Sequence, residues 1–372
     1  MLPKVLSKER LEAFVAGLMS ECEVVGPKRK PEAEKFYFDA IEDVSALRLD
    51  YPTTLLSPKK YFQPQEEALL RFDATKEPPE TEEVVEAPER VVFGMHPCDI
   101  NALWLLDAVF SDEPEDPNYL SRRQRAVVVG LNCLQPCDEF AFCADMGTHE
   151  ATTGYDLMLT DLGEAYFIDI AADRGKELVA DLPDATNTEF ARLQEVQAAK
   201  EAAFPKRFRF DTKYLPDILE ESWDSLIWEA TARRCFSCGA CNMVCPTCYC
   251  FDVFDQVDFS LARGQRKRRL DGCLLEAFAR VAGPGGLRST GRAGLPSLAA
   301  PSPGAGGEPE QGGGENFRPE AADRLRHRIF RKGKYLMEKY GRPACVGCGR
   351  CDRVCLVKIS SQEIYTQIAG SR

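Results

Sequence analysis

Two stretches decide how this chain is organised: 235-CFSCGACNMVCP-246 and 345-CVGCGRCDRVCL-356. Each spaces four cysteines as C-x2-C-x2-C-x3-C, so three thiolates come from one short loop and the fourth from the turn that follows it. Two copies of this spacing are the pattern of a protein that holds two 4Fe-4S clusters, in which the fourth cysteine of each run crosses over to the other cluster. The spacing therefore assigns Cys235, Cys238, Cys241 and Cys355 to one cluster, and Cys345, Cys348, Cys351 and Cys245 to the second. A structural zinc ion calls instead for two separated cysteine pairs in a tetrahedral array, so no zinc site is expected. Leu356 stands where the first run has Pro246, at a position that is not a ligand.

The charge around these runs agrees with that reading. Residues 231–372 carry 23 Lys and Arg against 13 Asp and Glu, whereas residues 1–230 carry 24 against 46. A cube with four thiolates has a charge of about −2 oxidised and −3 reduced, so cationic surroundings stabilise it. Nucleic acid is the rival reason for a basic end. A net charge of −12 and the lack of interleaved Arg and aromatic residues exclude it as an expected partner. No stretch approaches the ~18 apolar residues of a membrane span. The N-terminal 22 residues read as an amphipathic helix rather than an export signal. The expected location is the cytoplasm, where clustered thiols serve as metal ligands more often than as disulfides. His96, His149 and His327 are too scattered for His-rich zinc chemistry.

Further upstream, the β-branched run Val91–Met95 leads into 96-HPCDINALWLLDAVF-110, whose apolar residues recur at helical spacing. This reads as strand, loop, helix, with Asp99 as the expected N-cap and Cys98 at the positive end of the helix dipole. A second strand at Ala126–Leu131 ends just before Cys133. If the two strands are parallel neighbours, both cysteines lie beyond the carboxyl edge of the sheet, where open α/β sheets bind ligands. With Cys137 and Cys143 they make four thiols, which suits a third cluster; the alternative is buried packing thiols. Cys22 reads as a packing thiol, and Cys248, Cys250 and Cys273 as structural thiols with a ligand or tuning role as the alternative. His96 reads as a loop residue beside Cys98 rather than half of a catalytic dyad, and Lys59-Lys60 as a solvated loop. Nucleotide-binding and hydrolase motifs are missing, and no residue is assigned a catalytic role.

Asp156–Thr160 and Ala165–Ile170 flank Asp161-Leu162-Gly163-Glu164 as a β-hairpin. Helical patterns follow from about Lys176, and a last basic helix over 319–340 puts Leu325, Ile329, Leu336 and Tyr340 on its buried face. Arg324, Arg328, Arg331 and Lys332 are then left near solvent or a cluster. The segment 283–315 is Gly, Pro, Ala and Ser rich and reads as a disordered, low-complexity insertion. The fold class is α+β: an N-terminal α/β domain over 1–175, a helical connector over 176–230, and a mainly α-helical two-cluster ferredoxin domain over 231–372.

Taken together, 56-LSPKKYFQPQEEALLRF-72, 96-HPCDINALWLLDAVF-110, 142-FCADMGT-148, 245-CPTCYCFDVFD-255 and 345-CVGCGRC-351 resemble the beta subunits of cytoplasmic sulfhydrogenase-type NiFe hydrogenases. They are also similar to the A subunit of anaerobic sulfite reductases. The resemblance covers nearly the whole chain and implies an electron-transfer subunit. Its partners would be a flavin- and NAD(P)-binding reductase subunit and a metal-bearing catalytic subunit, either a NiFe hydrogenase or a sirohaem sulfite reductase. Two departures stand out. Val281-Ala282-Gly283 is separated from Gly314-Glu315-Asn316-Phe317-Arg318 by the low-complexity segment. Ala141-Phe142-Cys143 replaces a C-x-C of some relatives, leaving Cys137 to complete an N-terminal cluster. Two readings from other classes stand beside this one: an iron-sulfur reductase that binds a small substrate at its own N-terminal cluster, and a structural zinc-binding scaffold.

Overall fold

The computed structural model describes residues 2–282 and 314–370; most of the low-complexity segment lies outside the described residues. The chain opens with β1 (Lys4–Ser7), α1 (Lys8–Glu21), β2 (Glu23–Arg29) and β3 (Phe36–Ala40). It continues through β4 (Glu66–Asp73), β5 (Glu80–Glu83), β6 (Arg90–Met95), α2 (Pro97–Phe110), α3 (Pro117–Arg125), β7 (Ala126–Leu131), β8 (Leu157–Asp161) and β9 (Ala165–Ile170). Seven of these strands form one sheet in the order β1-β9-β8-β7-β6-β2-β3. Its centre is parallel: β2 pairs with β6, β6 with β7 (Val91 opposite Val127, Val92 opposite Val128), and β7 with β8. Parallel central strands are covered on both faces, which is why RVVFGM and AVVVGL are near-continuous apolar runs and not alternating ones. Val92, Phe93, Val128, Val129, Leu157 and Leu159 are fully buried, and each such side chain contributes ~1.5–3 kcal/mol through burial. The expected hairpin is present as antiparallel β8 and β9.

In α2, Pro97 occupies the first turn, where its missing N–H costs nothing. The N-cap is His96, not Asp99. The Asp99 carboxylate lies one turn in and is turned towards Arg350 of the second cysteine run, a long-range partner that local pattern cannot reveal.

The C-terminal part is mainly helical, as expected, apart from a short antiparallel strand pair, Arg280–Ala282 with Gly314–Asn316, and the segment 251–270. That segment forms β10 (Phe251–Val257) and β11 (Arg263–Leu270), joined to the upstream strands in a second, antiparallel sheet of order β10-β11-β4-β5. Charge complementarity explains the pairing. Acidic and basic side chains meet across the strands, as in Arg266–Asp255 (2.8 Å), Lys267–Glu66 (3.1 Å) and the buried Arg268–Glu67 (2.7 Å).

The remaining helices pack around the cysteine runs. Helices Leu215–Glu221, Ile227–Ala232, Ala321–Phe330 and Ser361–Gly370 share a core of Leu215, Leu219, Trp228, Ile329, Phe330 and Tyr365. The helix starting at Ala321 passes through one π-helical turn, Arg331–Tyr335, before Leu336–Tyr340. Wide turns of this kind recur at functional sites. Leu325, Ile329 and Leu336 are buried as the pattern predicts, and so are Arg324, Arg328 and Lys332. No helix among the described residues is long and apolar enough to cross a membrane.

Candidate metal centre

The second cysteine run wraps a small cavity lined by Cys345, Cys348, Cys351 and, from the first run, Cys245. These are the four residues that the crossover spacing groups together. Gly347 and Gly349 make the wrap feasible. Both have positive φ, and a Cβ on either would lie 2.6 Å from backbone atoms of Phe142 or Phe140. The carbonyl of Gly347 accepts from the N–H of Phe142 (2.8 Å), and that of Val346 from the Thr148 hydroxyl (2.6 Å), so the loop is stitched to the N-terminal domain.

The rest of the lining is cationic or neutral. Arg328 and Lys332, one helical turn apart, face the cavity; among the described residues no carboxylate is in its lining, and the Asp352 carboxylate lies with Oδ1 3.2 Å from Cys351 Sγ. Their side-chain partners are neutral hydroxyls, Ser361 for Arg328 (3.4 Å) and Thr247 for Lys332 (2.8 Å), and both the Nε of Arg328 and the hydroxyl of Tyr365 are buried without a hydrogen-bond partner. A buried cation without a counter-charge is costly, so this cavity is built for an anionic occupant. Burial opposes the Lys332 ammonium, yet the sulfurs of Cys245 and Cys248 keep its pKa above the ordinary lysine value. Burial likewise pushes the Cys345 thiol up to about 12, so its ionisation awaits a bound cation. Among the described residues no three Cys, His, Asp or Glu side chains converge tightly enough to share one metal ion. Four thiols around one cavity that also holds Arg328 and Lys332 fit a polynuclear, negatively charged cluster.

In the first run, Cys235, Cys238 and Cys241 are electrostatic neighbours, and Cys241 also feels Cys245 of the second group. Cys355 ends the helix Arg350–Val354, which packs against the short helix Ala240–Met243. Cys238 is the exposed cysteine of the chain; the other fifteen are at least partly buried.

At the sheet edge, Cys133 packs with Cys143 in one small apolar cluster and Cys98 with Cys348 in another. The charge of Cys133 bears on Cys98, and those of Cys137 and Cys143 bear on Cys133. Cys98, Cys137 and Cys143 all also feel Cys348 of the second run. Burial pushes Cys137 up to about 11 and Cys143 up to about 12, and it raises Cys98 well above the usual thiol range. The helix dipole expected to favour a Cys98 thiolate is therefore outweighed by desolvation. Between the two groups runs a bidentate ion pair, Arg350–Asp99, with both N–O distances 2.7 Å and both side chains almost fully buried. Arg353 pairs with Asp138 in the same seam.

Other sequence expectations resolve here. His96 is buried and stacked on Tyr51, with ring centroids 4.1 Å apart, and burial pushes it down to about 4, so it is a neutral packing residue. Lys59 is not solvated: only 5% exposed, it donates to the carbonyl of Cys248. Nothing in LSPKKYF signals this, because the partner lies 189 residues away. Cys248 and Cys273 flank the buried Asn242, whose amide donates to both sulfurs (3.5 and 3.4 Å), and Cys250 lies beside Cys273. Cys22 packs against the main core.

Residues 234–295 and 308–359 match the family of 4Fe-4S dicluster domains. The chain is also 30% identical over 367 residues to sulfhydrogenase 2 subunit beta of Pyrococcus furiosus, covering 98% of this chain and 97% of that protein.

Proposed function

The chain belongs to the family of sulfhydrogenase beta subunits, an iron-sulfur electron-transfer family, and from that premise we propose which partners it connects and which residues do the work. It carries two 4Fe-4S clusters. In our reading it relays electrons between a flavin subunit that exchanges hydride with NAD(P)H and the metal-bearing catalytic subunit of a NiFe hydrogenase. When bound, the clusters supply reversible one-electron acceptors.

One observation carries the proposal: three thiol groups lie in series. The sheet-edge group of Cys98, Cys133, Cys137 and Cys143 adjoins Cys348. That cysteine shares its cavity with Cys245, which neighbours Cys241 of the first run, next to the exposed Cys238. We assign Cys345, Cys348, Cys351 and Cys245 to the middle cluster, Cys235, Cys238, Cys241 and Cys355 to the outer one, and the sheet-edge four to a third. Arg328, Lys332 and Arg350 balance the charge of these ligands, while the apolar packing around Val346 and Cys98 excludes water.

The test is Cys348→Ala in the anaerobic complex. Hydrogen evolution driven by NAD(P)H should be lost, while viologen-driven turnover at the catalytic subunit persists. Hydrogen turnover by this chain without any partner would refute the relay.

A further inference from the structure

The sulfur of Cys245 has a side-chain donor that the two-cluster motif does not explain. The hydroxyl of Thr247 lies 3.3 Å from Cys245 Sγ and also meets Lys332 Nζ at 2.8 Å. An ammonium group only donates, so Thr247 Oγ accepts from Lys332. A ligating Cys245 has no proton, so the Thr247 O–H must donate to its sulfur. Thr247 and Lys332 are both buried, which fixes this chain of donors away from competing water.

The two ferredoxin-type sites differ in this respect. At the outer site, Cys235 accepts from the N–H of Ser237 (3.4 Å) and Cys355 from that of Ile359 (3.3 Å). The middle site has the Ser361 hydroxyl 3.7 Å from Cys351, with the Asp352 carboxylate 3.2 Å from the same sulfur, and the Thr247 hydroxyl on Cys245 backed by Lys332; the charge of Arg328 bears on both sites, on Cys241 as well as on Cys351. Hydrogen bonds to cluster sulfurs and nearby positive charge favour the more negative, reduced form and so raise the potential.

We propose that Thr247, oriented by Lys332, is a positioning residue. By hydrogen-bonding Cys245 Sγ it raises the potential of the middle cluster. This inference rests on the ligand assignment above.

The experiment is a potentiometric titration followed by EPR on the full chain in its complex, comparing wild type with Thr247→Val, Thr247→Ala and Thr247→Ser. Iron and sulfide content, unchanged from wild type, would show that ligation is intact and separate this question from the assignment. In Thr247→Val one ferredoxin-type midpoint should move down while the others stay, and Thr247→Ser should restore it. Thr247→Ala should move the same midpoint in the same direction, and it decides the matter if the valine variant fails to load. Fully loaded variants with unmoved or raised midpoints would overturn the proposal.

Discussion

Replacing Arg350 with Met should be among the most damaging single changes outside the cysteines. Arg350 and Asp99 expose 2% and 0% of their side chains, and Arg350 donates twice to the carboxylate and twice to Thr54, through its carbonyl (2.9 Å) and its hydroxyl (3.2 Å). Met fills much of the volume but donates nothing. Asp99 would keep only the Ser57 hydroxyl (2.8 Å) as a side-chain donor, a charge stranded in the seam between two cysteine groups. Breaking a buried pair from one side costs ~3–5 kcal/mol, roughly two to four orders of magnitude in the folding constant. Removing both charges in Arg350→Met/Asp99→Leu should recover about 2–3 kcal/mol of that loss, because the penalty comes from the unpaired partner and not from the missing attraction. The assay is guanidinium unfolding of the cluster-loaded chain under anaerobic conditions, with the four proteins of the double-mutant cycle side by side. A single variant within about 1 kcal/mol of wild type, or a double variant as unstable as the sum of the singles, would refute the reasoning.

Three further outcomes follow from other parts of the molecule. Cys133→Ala should lose about four of about twelve irons per chain and leave the ferredoxin-type EPR signals in place; unchanged iron would reduce the sheet-edge cysteines to packing thiols. Gly347→Ala puts a Cβ 2.6 Å from the Phe142 backbone at a φ of +60°, so its guanidinium midpoint should fall by the equivalent of at least about 2 kcal/mol, and a wild-type midpoint would contradict the packing. Burial first, then Arg318 and Arg331, push His327 down to about 4 from an ordinary value of 6.5. The unfolded chain therefore binds the proton more readily. The contribution of His327 is complete above about pH 6.5 and is lost as pH falls towards 4, so His327→Gln should lose less stability than wild type between pH 7 and pH 5. Equal losses would count against this role.

The sequence was most informative where function needs a fixed spacing. The two cysteine runs can be read because an iron-sulfur cube constrains its ligands along a few consecutive residues. The strands at Arg90–Met95 and Ala126–Leu131 can be read because burial on both faces demands continuous apolar runs. Interactions across long separations were not legible. Asp99 follows the local rule for an N-cap, yet its partner Arg350 is 251 residues away. Lys59 sits in a polar stretch and is buried against the first cysteine run. The hairpin at Phe251–Leu270 lacks a clear apolar alternation because cross-strand ion pairs supply much of its pairing. The sheet-edge cysteines lie between these extremes. Their number and their positions after two strands were visible, whereas their convergence beside Cys348 depends on how the two halves of the chain dock.

The most direct test of the central claim is iron and acid-labile sulfide per chain on anaerobically purified protein, with EPR of the dithionite-reduced sample. About twelve irons, matching sulfide and interacting signals are expected from three 4Fe-4S centres in series. About eight would leave the ferredoxin-type pair alone and remove the sheet-edge centre, and zinc without sulfide would contradict the electron relay altogether.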